Sequence, residues 1–498
     1  MDSNNSKSRK LIGGEIKIVH LIKNTFIHSS GLIINNLLSL IAKVVYLKVL
    51  GLEILGIYTF LSLMIPYYSY FFMGISYSLV RRIANLQSLN ESERLAQHRS
   101  VVNIFSLFMS IMLTMIFIIY MKFIYDEQNS DFTKINLILV FVTAIITEFT
   151  TLLNSHLKSI GNFAKIHSNA ALVRIFTPIL SIILVYSLGL NGLLLSLLLI
   201  SIFSAVDLTF FSIKQKTGVL NINYFNKSLL IKDLKLGISM LFSKKLPDML
   251  YTVFLTYLGL SFTKETLGSF NFLATMLGIT SQLLGAFYTI VERRIYLGKE
   301  FLKSNIEYLT NLSFGNSVIF GIIMQSLIIF LIIIIPPYFS ELSDSIYLLP
   351  WILLIFTIRN TIKITEHYIN SYNLFTSRNI LSVIAISTYL VVLNIFSIDS
   401  LKYFIVVHAG ILLFYKIVIS LFLQRFFIKK TTILRILFGD LLMVTIICLF
   451  TFIIISYEFK IVESILLASL FSTFLFFVHT NNPKKSFKDL LVFLDKEF

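Results

Sequence analysis

Residues 53–64 read EILGIYTFLSLM, and residues 265–276 read ETLGSFNFLATM. At a fixed offset of 212 residues, six of these twelve positions hold the same residue. The same offset, continued without a gap, aligns the basic tripeptide at 81–83 with the one at 293–295. Self-similarity at one fixed spacing predicts an internal duplication, so the chain is expected to contain two related halves.

The composition around this repeat is that of a polytopic membrane protein. Of the 498 residues, 56% are hydrophobic and 14% are charged, and the mean hydropathy is +0.84. Soluble domains carry roughly 25% charged residues. These numbers exclude a soluble, disordered or collagen-like chain, and the one cysteine, Cys448, excludes an internal disulfide. The net charge of +16 is therefore interpreted as a topology signal and not as a nucleic-acid surface.

Apolar segments of about 20 residues, long enough to cross roughly 30 Å of hydrocarbon, predict fourteen spans. The weakest divisions are the short polar breaks at 189–192 and 371–378. The predicted spans are 24–47, 54–80, 101–121, 135–157, 168–188, 192–213, 236–259, 267–291, 308–335, 346–370, 379–397, 403–424, 436–456 and 461–479.

The charges between the spans predict the orientation. With the N-terminus inside, the inner segments hold 29 Lys and Arg and the outer segments hold 6. Because positive charge is retained in the cytoplasm, both termini are predicted to be cytoplasmic. The first 23 residues are polar and basic, which argues against a cleavable signal peptide.

The repeat starts at spans 2 and 8, so six spans form its unit. Because six is even, both copies run in the same direction through the membrane, as the halves of many transporters do. The predicted fold is an all-α polytopic membrane protein of two six-helix bundles with two further C-terminal helices. The predicted segments are a basic arm at 1–23, a first bundle at 24–213, an inter-bundle linker at 214–235, a second bundle at 236–424, spans 13 and 14 with a basic loop at 425–479, and a cytoplasmic tail at 480–498. Residues 221–236 are expected to form an interfacial amphipathic helix, or else a plain linker.

The loops are too short to fold as independent domains. The sequence contains no phosphate-binding glycine loop, no HExxH motif and no Cys/His cluster, so no cofactor or metal site is predicted. These features favour transport inside the bilayer over enzymatic chemistry.

The pattern LGLEILGIYTF after span 1 and its echo LGLSFTKETLGSFNF after span 7 resemble a known family. It is the family of polysaccharide transporters, the O-antigen (lipopolysaccharide) and capsule-unit flippases of the multidrug/oligosaccharidyl-lipid/polysaccharide exporter superfamily. The resemblance covers spans 1–12 in architecture but only two span junctions in motif. It implies a protein of the bacterial inner membrane that moves a polyprenyl-pyrophosphate-linked oligosaccharide across membrane lipids by alternating access. It also implies a proton or sodium counter-ion, and a polysaccharide polymerase and chain-length regulator as partners.

A pyrophosphate head group is polyanionic, so cations within spans are candidate ligands. The candidates are Lys43 in span 1, Lys244 in span 7 and Arg174 in span 5. Spans 1 and 7 are equivalent in the repeat and are both expected to line a cavity. The alternative for Lys244 and Arg174 is that they extend to the lipid phosphates at the inner face.

Two intramembrane acids are candidates for ion coupling. Asp248 follows Pro247, which disrupts the helix locally, and Glu148 in span 4 is the second candidate. Partial desolvation favours a neutral carboxyl, which proton coupling requires. The alternative is that Asp248 is a structural partner of Lys244 one helical turn away.

Two other groups in the spans have competing interpretations. The residues Arg359, Lys363 and Glu366 in span 10 are spaced as an internal ion-pair triad or as a ligand site. The tyrosine-rich stretch at 66–72 either packs span 2 against its neighbours or stacks on sugar rings. Two other functions stay open: a drug or cation antiporter of the same superfamily, and a membrane-embedded polymerase or glycosyltransferase.

The topology leads to the first testable prediction. In a chain with Cys448 replaced, a cysteine at Asn129 should react with an impermeant thiol reagent in intact cells, and one at Ser92 should not, because the charge pattern places 122–134 outside and 81–99 inside. Labelling at position 92 without labelling at 129 would reverse the whole topology.

Overall fold

The structure, a computed structural model, describes residues 18–79, 92–126, 132–159, 162–214, 226–278, 339–349, 351–353, 355–356, 358–359, 375–395 and 401–424. These segments are helical and contain no strand. The chain divides into two compact units. One unit comprises Met1–Asn36, Leu277–Tyr338 and Ser420–Phe498, and the other comprises Leu37–Met276 and Phe339–Ile419. The contacts given below lie within the second unit.

The helices are numbered in chain order. They are α1 (Ile18–Ser62), α2 (Met64–Phe71), α3 (Ser92–Phe123), α4 (Lys134–Ser159), α5 (Phe163–Lys214), α6 (Lys227–Ser261), α7 (Phe375–Ile395) and α8 (Leu401–Gln424), with a 3₁₀ helix at Ser340–Leu348. Residues 264–278 are also helical. Within the described part of the chain, Ala96–Phe123, Lys134–Lys158 and Ser168–Lys214 are long and apolar enough to cross a membrane.

Helix α1 contains a reversal at Gly51, whose backbone has φ 75° and ψ 174°. A straight helix would separate residues 43 and 58 by about 22 Å. The ammonium of Lys43 instead lies 5.5 Å from the ring centroid of Tyr58, so the chain turns back on itself. This turn falls between predicted spans 1 and 2, and the positive φ is one that glycine adopts without strain.

Helix α5 is 52 residues long, which would extend about 78 Å if it were straight, more than twice the hydrocarbon thickness. It also reverses at a glycine, Gly189, with φ 57° and ψ −131°. The carboxylate of Asp207 accepts hydrogen bonds from Lys165 (2.5 Å) and Asn169 (2.8 Å), which places the two halves side by side and antiparallel. The predicted break at 189–192 between spans 5 and 6 is therefore confirmed.

Span 2 is not one straight helix. It is interrupted at Leu63, where Pro66 has no N–H to donate to the carbonyl of Ser62. It turns again at Met73 and Gly74, which both have positive φ. These breaks present the middle of span 2, helix α2, as a separate short segment whose side chains reach several neighbours.

The inter-bundle segment differs from the expected interfacial helix. Residues 227–235 are the first turns of α6 and run without a break into span 7. The side chain of Asn226 caps this helix by accepting hydrogen bonds from the backbone N–H groups of Ser228 and Leu229. The side chains of Leu230 and Leu234 pack against a buried protein cluster, while Ile231 is exposed, so protein covers part of the apolar surface of these turns.

The two copies of the repeated motif meet at their glycines. A Cβ atom added to Gly56 would overlap the carbonyl oxygen of Lys264, and one added to Gly268 would overlap the carbonyl oxygen of Leu52. Gly56 and Gly268 are equivalent at the offset of 212, and so are Leu52 and Lys264. The contact is thus reciprocal, and the repeat in the sequence corresponds to a local two-fold relation in space.

Candidate functional site

A cavity of about 300 Å³ lies among four predicted spans in the second unit. Its walls come from span 2, from α4 (span 4), from α6 (span 7) and from Arg359 in span 10. The described lining residues are Ile65, Pro66, Ser69, Tyr70, Tyr77, Ala144, Thr147, Glu148, Leu241, Asp248, Tyr251, Thr252 and Arg359. Spans 2 and 4 belong to the predicted first bundle and spans 7 and 10 to the second, so both predicted bundles contribute to this cavity.

Asp248 and Arg359 form an ion pair in the cavity wall. The guanidinium nitrogen Nη2 of Arg359 donates to Oδ1 of Asp248 at 2.9 Å. The side chain of Asp248 is 43% exposed and that of Arg359 is 14% exposed, so the carboxylate is the more accessible partner. The guanidinium also lies 4.5 Å from the ring centroid of Tyr251, a distance at which a cation is attracted by the ring face.

Glu148 contributes a second carboxyl group to the same cavity. Its side chain is buried, and it forms a hydrogen bond with the hydroxyl of Ser69. Within the described part of the chain, its Oε2 atom has no hydrogen-bond partner. A buried intramembrane carboxyl group with an unused oxygen is positioned to accept a proton, a cation or a hydrogen-bond donor of a substrate.

The tyrosine-rich stretch contains both packed and cavity-lining residues, and stacking on sugar rings stays a prediction. Tyr68 is buried and packs edge-on against Phe141 at 5.7 Å between ring centroids. Tyr70 lines the cavity, and its hydroxyl forms a hydrogen bond with Thr252 (3.2 Å). Packing therefore explains Tyr68, and an aromatic face is available in the cavity from Tyr70.

The three predicted anion ligands are not brought together among the described residues. Lys43 is half-buried over Tyr58, and Arg174 is exposed on α5, and neither lines the cavity. Lys244 lies on the helical backbone of α6, but its side chain is outside the described residues. Their assignment as ligands of the head group stays a prediction.

The two predicted coupling acids, in contrast, are lining residues of one cavity. The observed partner of Asp248 is Arg359, although further interactions of Asp248 exist beyond this pair. The sequence placed Arg359 in a local triad with Lys363 and Glu366, two residues that lie outside the described part of the chain. A pairing between spans 7 and 10 could not be read from local spacing, and this is why the cavity cation was missed.

The charge of the described lining is one cation against two carboxyl groups: Arg359 against Asp248 and Glu148. Among described residues, no group of three or more His, Cys, Asp or Glu side chains could hold a metal ion. The arrangement can bind an anion only if Arg359 is released from Asp248. It can bind a proton or a small cation at either carboxyl group.

No protein-family model and no curated protein matches the chain. Solved structures do match. One is the lipid II flippase MurJ in an inward closed conformation, 18% identical, covering 90% of this chain and 98% of that one with a TM-score of 0.58. Another is an inward-facing multidrug resistance MATE family transporter of the MOP superfamily, 12% identical, covering 83% and 95% with a TM-score of 0.55. A third is a MOP superfamily transporter from Pyrococcus furiosus Vc1, 15% identical, covering 79% and 93% with a TM-score of 0.52.

The chain has the fold of the MOP superfamily transporters. The predicted fold class, an all-α polytopic membrane protein, is confirmed. The likeness extends over nearly the whole length of each transporter, which agrees with a multi-pass membrane protein in which both halves are present. At these identities the likeness establishes the fold and leaves the substrate to be argued from this chain's own residues.

The ion pair in the cavity wall leads to the second prediction. Asp248→Asn and Arg359→Gln should each lower the melting temperature of the detergent-solubilised protein, because each removes the charge that attracts the other residue of this ion pair. The double variant should be less destabilised than the sum of the two, by about 0.5–3 kcal/mol, the usual coupling of contacting charges.

As a control, Arg359→Gln should be additive with Asp207→Asn, since Asp207 belongs to a different ion pair, with Lys165. Additivity of Asp248→Asn with Arg359→Gln would contradict the pairing.

Proposed function

We propose that the protein is an ion-coupled flippase that moves a polyprenyl-pyrophosphate-linked oligosaccharide across the bacterial inner membrane by alternating access. The observation that carries this proposal is the cavity at which side chains of both predicted bundles meet, with a paired arginine in its wall. The fold shared with a lipid II flippase over 90% of the chain supports it.

Arg359 is the group that would bind the pyrophosphate. A guanidinium presents several N–H donors in a plane and pairs with phosphate oxygens in a bidentate manner. In the structure this group is held by the carboxylate of Asp248. A phosphate that enters the cavity therefore competes with Asp248 for Arg359, and the outcome depends on the charge of that carboxyl group.

Neutralising Asp248 is the proposed coupling step. A proton on the carboxylate, or a sodium ion beside it, removes most of its attraction for Arg359 and releases the guanidinium to the substrate. Loss of the proton or ion restores the pair and expels the anion. Binding of the coupling ion and of the head group then favour each other, as linkage between two sites requires.

The aromatic rings complete the proposed binding site. Tyr70 and Tyr251 both line the cavity together with the acidic and basic groups. Tyrosine offers a flat apolar face with a polar hydroxyl, which suits the mixed apolar and polar surface of a sugar. The cavity volume of about 300 Å³ is at the small end of the roughly 300–1,000 Å³ found for small-molecule sites. A head group with several sugars therefore needs a wider conformation than this one.

The same proposal includes the cellular setting that the sequence predicted. The protein would lie in the inner membrane with both termini in the cytoplasm, and would deliver O-antigen or capsule units to a polysaccharide polymerase and its chain-length regulator. Lys43, Arg174 and Lys244 are retained as proposed secondary ligands that would act when the cavity widens.

A specific observation favours a second candidate, a drug or cation antiporter of the same superfamily. The described cavity lining has two carboxyl groups and one cation, and Asp248 and Glu148 could hold an organic cation while Arg359 stays paired. The fold shared with a multidrug resistance transporter is compatible with this function.

Transport by the purified protein in proteoliposomes separates the two candidates and forms the third prediction. A polyprenyl-pyrophosphate-linked oligosaccharide should become accessible to an impermeant lectin across the bilayer. Arg359→Gln should slow this by about tenfold or more, because a charge that contacts a desolvated anion contributes several kcal/mol. Arg359→Lys should retain part of the activity, since it keeps the charge without the planar geometry.

The matched control is Lys214→Gln, an exposed cation at the end of α5 outside the cavity, which should transport at the unaltered rate. Flux of ethidium driven by a proton gradient, without movement of the glycolipid, would contradict the flippase function and support the antiporter function. If Arg359→Gln leaves the movement of the glycolipid unchanged, Arg359 is not a ligand of the pyrophosphate.

A further inference from the structure

The repeated motif lies at one end of the cavity-forming region. The topology predicted from the charges places residues 48–53 and 260–266 outside, so the motif copies begin at the outer ends of spans 2 and 8. Span 2 belongs to the predicted first bundle and span 8 to the second. The reciprocal contact between Gly56 and Gly268 therefore joins the two predicted bundles at their outer end.

The glycine contact leaves no space for a side chain or water between the two backbones. Small residues allow helices to approach this closely inside a membrane, and the resulting van der Waals contact is a main source of helix association there. Since Gly56 meets the backbone at Lys264 and Gly268 meets the backbone at Leu52, the two approaches support each other. A separation at one glycine requires a separation at the other.

A hydrogen bond joins the same two copies one turn deeper. The side-chain amide of Asn271 donates to the hydroxyl of Thr59 at 2.8 Å. These two residues are also equivalent at the offset of 212. The Thr59 hydroxyl itself donates to the carbonyl of Leu55 in its own helix, so it can serve as acceptor for Asn271 without losing its other bond.

A lysine covers this contact from the outer side. The ammonium of Lys264, in the second predicted bundle, donates to the carbonyl of Gly259 at 2.8 Å. It also lies 4.5 Å from the ring centroid of Phe60 and 5.9 Å from that of Phe132, two rings of the first predicted bundle that stack at 5.7 Å. The cation thus contacts aromatic faces of one bundle from a position fixed in the other.

We infer that the two copies of the repeated motif form the outer gate of the cavity, closed in this structure by the Gly56–Gly268 contact, the Thr59–Asn271 hydrogen bond and Lys264. The three contacts do not depend on the proposed transport function, but their role as a gate rests on it. In this proposal the three contacts break together when the cavity opens to the outside, as in a two-state gating element.

The gate predicts which small changes open the cavity to the outside. In a chain with Cys448→Ser, a single cysteine placed at the half-buried cavity residue Thr147 reports access from outside through its rate of reaction with an impermeant maleimide in intact cells. Gly56→Ala and Gly268→Ala should each increase this rate about fivefold or more, because a methyl group meets the partner backbone and disfavours closure. This measurement needs no substrate, so it can fail or succeed independently of the proposed function.

The matched control is Gly410→Ala, the same substitution at a helical glycine with open space around it, which should leave the rate unchanged. Thr59→Val provides a milder second test, since it removes the acceptor and keeps the size of the side chain. Its control is Thr143→Val, a threonine in α4 whose hydroxyl donates a hydrogen bond within its own helix, to the carbonyl of Leu139.

Faster labelling in Gly56→Ala, Gly268→Ala and Thr59→Val, with both controls unchanged, supports the gate. If the glycine variants do not reach the membrane, Thr59→Val decides alone. Labelling of Thr59→Val at the rate of Thr143→Val would overturn the proposal, as would glycine variants that label no faster than Gly410→Ala.

Discussion

The close approach of two backbones at Gly56 and Gly268 is the constraint on which the arrangement of the second unit depends. Helices in a lipid environment gain little from burying apolar side chains against one another, since lipid is equally apolar. Close backbone packing and a few interhelical hydrogen bonds must therefore hold spans 2, 7 and 8 together. The glycine pair provides the first and Thr59–Asn271 the second. Each such hydrogen bond contributes only about 0.6 kcal/mol on average, so the contact is strong enough to form and weak enough to open.

The same balance explains why the cavity lies where it does. Span 2 runs beside α6. Two hydrogen bonds between side-chain hydroxyl groups join them, one between Tyr67 and Thr256 and one between Tyr70 and Thr252. Farther along the pair of helices, Gly74 and Gly237 bring the backbones together again. Between these close approaches, the breaks in span 2 leave a space in which Asp248 and Arg359 meet.

Charges in this space are costly unless they are paired or wet, so their arrangement is informative. Asp248 and Arg359 neutralise each other, and the buried Glu148 is held by the hydroxyl of Ser69. A transporter requires groups whose partners can be exchanged, and an ion pair with one exposed member meets this requirement better than a fully buried pair. The polar cavity is thus consistent with a site that alternates between internal pairing and substrate binding.

Much of the fold could be predicted from the sequence because its signals are local. Segment length and hydropathy predicted the spans, and glycine conformations at 51 and 189 confirm two of the predicted turns, including one of the two weakest divisions. The repeat predicted which residues are equivalent. It did not predict that the equivalent residues are in contact. A sequence repeat identifies which residues are equivalent, but it does not tell where the symmetry axis between the two copies lies.

The site was less accessible to sequence reasoning for a related reason. Glu148 and Asp248 were selected because they are intramembrane acids, and both line the cavity. The pairing of Asp248 with Arg359 spans 111 residues and depends on how spans 7 and 10 pack. In the segment 221–236, of which 221–225 lie outside the described residues, residues 227–235 continue into span 7, and Leu230 and Leu234 pack against protein. Periodicity reveals an apolar face without telling whether lipid or protein covers it.

Separation and rejoining of the two motif copies at their outer ends is tested most directly by a distance measurement. Glu53 and Glu265 are equivalent in the repeat and are both exposed, so spin labels on cysteines at these positions should leave the contact intact. In lipid nanodiscs, with Cys448 replaced, pulsed electron paramagnetic resonance should give a short distance and a second, longer one. Gly56→Ala should increase the population at the longer distance. A single narrow distance that is the same in both proteins would contradict the account.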